Sequence, residues 1–131
     1  MKRPAQIKVG RYGMFYAAVE VWVDFSSDSS TASPGWTETG FGKIVVGAKG
    51  KIWSQVYRGL LHEAMEWGML LGGCHYCPSG ALAPVADDSY LMVMSHPQFT
   101  RVANEVGDFT AHAAPELEKV WRKNKGKGER R

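Results

Sequence analysis

The stretch GLLHEAMEW, residues 59–67, sets His62, Glu63 and Glu66 among apolar neighbours. A histidine and a carboxylate four residues apart project from one face of a helix, about one turn from each other. Two such donors can grip one divalent ion, and a glutamate beside the first of them can reach the attacking water as general base. The same spacing also makes an ordinary helical ion pair worth about 0.2–0.5 kcal/mol. The opposite side of this helix carries the wide apolar stripe of Trp53, Val56, Tyr57, Leu60, Ala64, Trp67 and Gly68. Met65, Met69 and Leu70 accompany His62 and Glu66, so the pair is expected on a face that is itself covered and must therefore be satisfied by a partner or a metal.

A tetrahedral site needs a third protein ligand. Residues 95–109, SHPQFTRVANEVGDF, supply a candidate. Ser95 with Gln98 has the spacing of a capping box and Pro97 suits a first helical turn, so a second helix is predicted to open here with His96 at its mouth. The positive end of a helix favours neutral imidazole, the form that binds metal. His62, Glu66 and His96 would then leave a fourth position open, the pattern of a catalytic zinc rather than a structural one.

LLHEAMEW followed by HPQFTRVANEV resembles the small zincin-like metallopeptidases, in particular the SprT-type and minimal phage or bacterial domains. There a helix with His-Glu-x-x-His precedes a second helix opened by His-Gly-x-x-Phe. The likeness spans roughly residues 41–110 and implies zinc, or another divalent metal, on His62 and His96, general-base chemistry from Glu63 and a packing role for Phe99. Two positions depart from the pattern: Glu66 stands where the family has its second histidine, and Pro97 where it has glycine. An anionic ligand weakens the metal as a Lewis acid.

Cys74 and Cys77, in GGCHYCPSG, form a competing constellation. One Cys-x-x-Cys is half of a zinc knuckle or a thiol redox pair, and His75 and His112 could complete a ligand set. A turn whose small thiols pack or stay free is the simpler expectation. Glu105 is expected to play a surface or supporting role, and Asp87 and Asp88 read as turn residues. The tryptophans read as packing, with Trp36 in a long loop placed to meet a ligand.

The elements that must position these groups follow from periodicity. Residues 13–25 alternate around Val19, Val21, Val23 and Phe25 and predict a strand. A small-residue loop over 26–40 leads to a second strand near 41–48, the two pairing as a long-looped antiparallel ribbon. The helix over 53–71 comes next, then a third strand near 90–94 and a C-terminal helix pair, 96–112 and 115–123, divided at Pro115. The expected fold is α+β, with a small mixed or antiparallel sheet packed against the metal-site helix and the C-terminal pair.

With 131 residues, 44% of them hydrophobic, the chain makes one core, so residues 1–121 are expected as a single domain. Residues 122–131, RKNKGKGERR, hold six of the 16 Lys/Arg and one of the 13 Asp/Glu and are expected as a flexible basic tail. The rest has 10 basic and 12 acidic residues, so specific nucleic-acid binding is not expected. No run reaches the roughly 18 apolar residues that span a bilayer, and the N-terminus lacks a signal-like apolar run. A cytoplasmic chain without a membrane partner is the expectation, and its oligomeric state is left open. Two functions fit: a metal-dependent hydrolase acting on a protein or peptide, or a catalytically inactive zincin-like module of mobile-element origin that binds or inhibits another protein.

Overall fold

The computed structural model describes residues 5–33, 42–76, 91–92 and 94–129. It is an α+β arrangement of a four-stranded mixed sheet with two helices. The strands are β1 (Gln6–Met14), β2 (Ala17–Asp24), β3 (Thr31–Ser33) and β4 (Gly42–Gly47), in spatial order β1-β2-β4-β3. Helix α1 (Trp53–Leu71) follows, then a two-stranded ribbon of β5 (His75–Tyr76) and β6 (Leu91–Met92), then α2 (His96–Glu129).

The valines that alternate in β2 do lie on one buried face. In register with β4, Val19 sits beside Gly42, Val21 beside Ile44 and Val23 beside Val46. All of these apart from the glycine are fully buried hydrophobics beneath the helices. The other face is held by a polar cluster: buried Glu20 accepts from Trp22 Nε1 at 3.1 Å and pairs with Lys8 Nζ at 3.4 Å, while Lys43 lies over the Trp22 ring.

Three expectations about the sheet are corrected. Residues 13–25 are not one strand, because the chain reverses at Phe15 and Tyr16 into a hairpin with β1. Both turn residues have positive φ, 52° and 66°. Such a two-residue turn normally uses Asn or Gly, since a side chain in the left-handed region costs roughly 1 kcal/mol or more. Helix α2 holds it in place: Glu105 Oε1 accepts from Phe15 N–H at 2.7 Å and Arg101 lies over the Phe15 ring. Next, β2 and β4 are parallel rather than an antiparallel ribbon, because the chain returns through β3, the outer strand antiparallel to β4. Finally, among the described residues of the 90–94 segment the strand is β6, which pairs with β5 outside the main sheet.

Helix α1 has the predicted bounds. Gln55 Oε1 accepts from Ile52 N–H at 3.0 Å to close its first turn. Its end is a Schellman turn, with Cys74 N–H donating to Met69 O at 2.8 Å and Gly73 N–H to Leu70 O at 3.2 Å, around Gly73 at φ 78°. The predicted capping box at α2 forms: Ser95 N–H donates to Gln98 Oε1 at 2.8 Å and Gln98 N–H to Ser95 Oγ at 3.3 Å.

Instead of a pair broken at Pro115, one helix of 34 residues runs through it. A mid-helix proline forfeits a hydrogen bond and costs about 3 kcal/mol. The apolar stripe Val102, Val106, Phe109, Ala113, Leu117 and Trp121 continues in phase across it, and exposed Pro115 points away from that stripe. Burial of Leu117 and Trp121 offsets the break. The helix then extends to Glu129, into the basic stretch, with Asn124 buried and its Nδ2 donating to Val120 O.

The two helices are antiparallel and touch closely. A Cβ on Gly68 would lie 2.6 Å from Val106 Cγ2, and one on Gly72 would lie 2.9 Å from Val102 Cγ2. Trp53 and Trp121, ring centroids 5.7 Å apart, close the other end in the same register. Gly68→Ala should therefore lose about 1 kcal/mol in urea melts, overpacking outweighing the gain in helix propensity. Gly107, whose Cβ would meet nothing within 4 Å, is the control. Gly107→Ala should gain about 0.5–1 kcal/mol.

At the end of β2, burial alone would raise the Asp24 carboxyl. Hydrogen bonds from the Ser26 hydroxyl at 2.7 Å, Ser26 N–H at 2.8 Å and the Gln6 amide at 3.1 Å outweigh it and hold the group below its ordinary value. A carboxyl lowered in the folded state stabilises above its unfolded pKa, about 3.9, and that stability disappears as pH falls through the lower folded value. Urea melts of Asp24→Asn should accordingly show a flatter acid limb below about pH 4 than the parent.

Candidate metal centre

His62, Glu63 and Glu66 each offer one ligand atom, and the three atoms lie within 4.8 Å of one another. His62 Nδ1 is 3.0 Å from Glu63 Oε2, and His62 Nε2 is 4.0 Å from Glu66 Oε2. Helix periodicity explains the cluster. Leu61, Met65 and Met69 turn toward α2, where they face Phe99, Val102 and Val106. His62 and Glu66 lie about 100° further round the helix, on the flank away from α2.

Burial within the cluster reverses the expectation. The His62 side chain is 66% exposed and that of Glu66 42%, so this flank is open rather than covered. Met65 and Leu70 are exposed as well. The buried member is Glu63, with only 8% of its side chain accessible. It follows Leu60 by three residues and precedes Trp67 by four, which places it on the same inward seam. Its hydrogen-bond partner is His62 Nδ1. A carboxylate accepts and does not donate, so the ring proton is assigned to Nδ1. The Nε2 lone pair is thereby left on the side of Glu66. A histidine that ligates a metal through one nitrogen commonly donates the other to a carboxylate, which fixes its tautomer and orientation. In this geometry Glu63 is the orienting partner of His62, and His62 Nε2 and Glu66 are the outward donors.

His96 is not part of the group. The register that seats Gly68 on Val106 and Gly72 on Val102 brings His112 level with His62 and leaves His96 about two turns past the end of α1. Exposed His96 instead neighbours the ring of Phe99, which is 54% exposed and does not pack in the core. His112 faces the opposite flank of α2, in a cleft beside β1, and its Nδ1 is 2.8 Å from Asp108 O. Glu105 serves the hairpin turn. Cys74 is buried, while Cys77, Trp36, Asp87 and Asp88 lie outside the described residues.

One imidazole and one outward carboxylate, with a second carboxylate behind the imidazole, suit a borderline divalent ion such as zinc or manganese. Ion pairing alone would also account for the contacts. A feature that sequence reasoning missed is Trp67, buried one turn after Glu63 against Gly42. Its Nε1 has no hydrogen-bond partner among the described residues. Compared with protein-family models, curated proteins and solved structures, the chain finds no match in any of the three.

The Glu63–His62 contact generates a specific expectation. If Glu63 orients a ligand, Glu63→Gln should weaken zinc binding by about 10–100-fold in calorimetry while the fold persists. An unchanged affinity would return Glu63 to the role of a base that does not touch the ligand shell.

Proposed function

We propose that this chain is a divalent-metal-binding domain of zincin-like type that acts as a metal-dependent hydrolase on a protein or peptide. The observation that carries the reading is the proximity of His62 and Glu66 on one open flank of α1, with buried Glu63 bonded to His62 Nδ1 behind them. His62 Nε2 and Glu66 would hold the ion, with remaining positions left for water and substrate. The ion would supply Lewis-acid polarisation of a carbonyl and an acidified water.

The protein's own groups do the rest. Glu63 holds the imidazole in one tautomer through Nδ1. Because Nδ1 is on the far edge of the ring from Nε2, Glu63 in this rotamer positions the histidine, and the base role expected of it from the sequence would require Glu63 to leave Nδ1. An edge strand can also align an extended peptide by backbone hydrogen bonds, and β3 has β4 as its one strand partner among the described residues.

A specific feature supports a second reading, a non-catalytic protein-binding module. The groove between α1 and α2, about 260 Å³, is lined by Leu61, Met65, Met69, Phe99 and Val106, with Met65 43% and Phe99 54% exposed. Methionine-rich grooves adapt to helical partners.

Elemental analysis after zinc reconstitution tests the first reading. The parent should retain one equivalent and His62→Ala none, and a denatured protein substrate should be cleaved by the parent alone. Glu66→His replaces an anionic ligand by a neutral one and should raise the cleavage rate at equal zinc occupancy. Equal metal content in parent and His62→Ala would sink the site. Metal retention without cleavage would leave the binding module.

A further inference from the structure

A second cleft lies on the flank of α2 that faces away from His62. It runs between β1 and α2, with a volume of about 590 Å³, and its walls carry Glu105, Asp108 and Glu116 from α2 and Arg11 from β1. Three carboxylates against one guanidinium leave the lining negative. The floor is aromatic, since Tyr12 meets Phe109 edge to face with centroids 6.1 Å apart. That floor is built by the backbone: the Tyr12 ring lies across Gly10, where a Cβ would come within 2.5 Å of the hydroxyl. Burial and the negative field of Glu116 both raise the Tyr12 hydroxyl above its ordinary value. Glu116 already takes an ammonium, that of Lys119 at 3.3 Å, in an exposed and exchangeable pair.

Two further features border this cleft. β1 is the outer strand on this side, paired with β2 alone among the described residues. The irregularity between Lys8 and Gly10 divides this strand, and the part from Gly10 to Met14 runs alongside the cleft. Beyond that edge stands the strained hairpin tip, tied to the cleft wall by Glu105, with Tyr16 98% exposed. A fully solvated tyrosine on a tip held by another element is a rigid, low-entropy contact.

We propose that the β1–α2 cleft and the Tyr16 tip form a docking surface for an extended lysine- or arginine-bearing segment of a partner protein. The segment adds to the β1 edge by backbone hydrogen bonds. Its cationic side chains enter between Asp108 and Glu116, over the Tyr12 ring. The surface is separate from the α1 cluster and requires no metal.

The test is fluorescence anisotropy of the metal-free full chain with a labelled peptide of alternating lysine and threonine. Binding should be saturable and weaken with salt, and a glutamate–threonine peptide should not bind. The exposed residues allow clean variants, each checked by its thermal melt. Asp108→Asn with Glu116→Gln should weaken binding by roughly tenfold, and Tyr16→Ala by a few fold. His62→Ala should leave it unchanged. Methylation of alternate peptide amide nitrogens should abolish it, because the edge hydrogen bonds are lost. Unchanged affinity in the double variant overturns the proposal. Indifference to N-methylation, with spermidine competing as well as the peptide, also overturns it in favour of a small organic cation.

Discussion

The close contact of Gly68 with Val106 sets the position of everything above the sheet. A side chain at residue 68 would push α2 outward or slide it along α1. With glycine there, Val106 and Val102 seat against α1 and the antiparallel register is fixed from Trp53 opposite Trp121 to Gly72 opposite Val102. That register separates the chemistry of the molecule into two flanks. Leu61 and Met65 meet α2, His62 and Glu66 turn outward beyond them, and the polar residues of α2 turn the other way, toward β1.

What could be read from the sequence was what depends on local periodicity and local hydrogen bonding. The α1 stripe and the Ser95/Gln98 capping box are of this kind, and both form. What could not be read depends on contacts between distant residues. The Phe15–Tyr16 turn lacks the Asn-Gly signal because it is held by Glu105, 90 residues away. The parallel pairing of β2 with β4 arises because β3 takes up part of the intervening chain. Pro115 was a sound local stop signal, overridden by apolar residues in phase on both sides of it.

The cluster on α1 was legible as a spacing and misread as an environment. Methionines and a leucine beside His62 suggested a covered face, yet Met65 and Leu70 are themselves among the exposed hydrophobics. The informative spacing was that of Leu60, Glu63 and Trp67, the three-four step of an inward seam, with a carboxylate at its centre. Chemical identity drew attention to the ligand-like pair, whereas geometry placed the unusual group between them.

A buried carboxylate is costly unless its oxygens are satisfied. Oε2 of Glu63 is satisfied by the residue immediately before it in sequence, whose ring lies mostly in solvent. Burial limits the positions Glu63 can take, and through Nδ1 that limitation passes to an otherwise free surface histidine. The consequence is a division of labour along two adjacent residues. The inward one anchors, and the outward one presents Nε2 on the side of Glu66, 4.0 Å from its Oε2. A lone His–Glu pair at i and i+4 on an exposed helix would sample many rotamers and hold an ion weakly. Adjacency of histidine and buried glutamate removes part of that freedom, so the ring orientation at the rim of this seam is restricted by the fold itself.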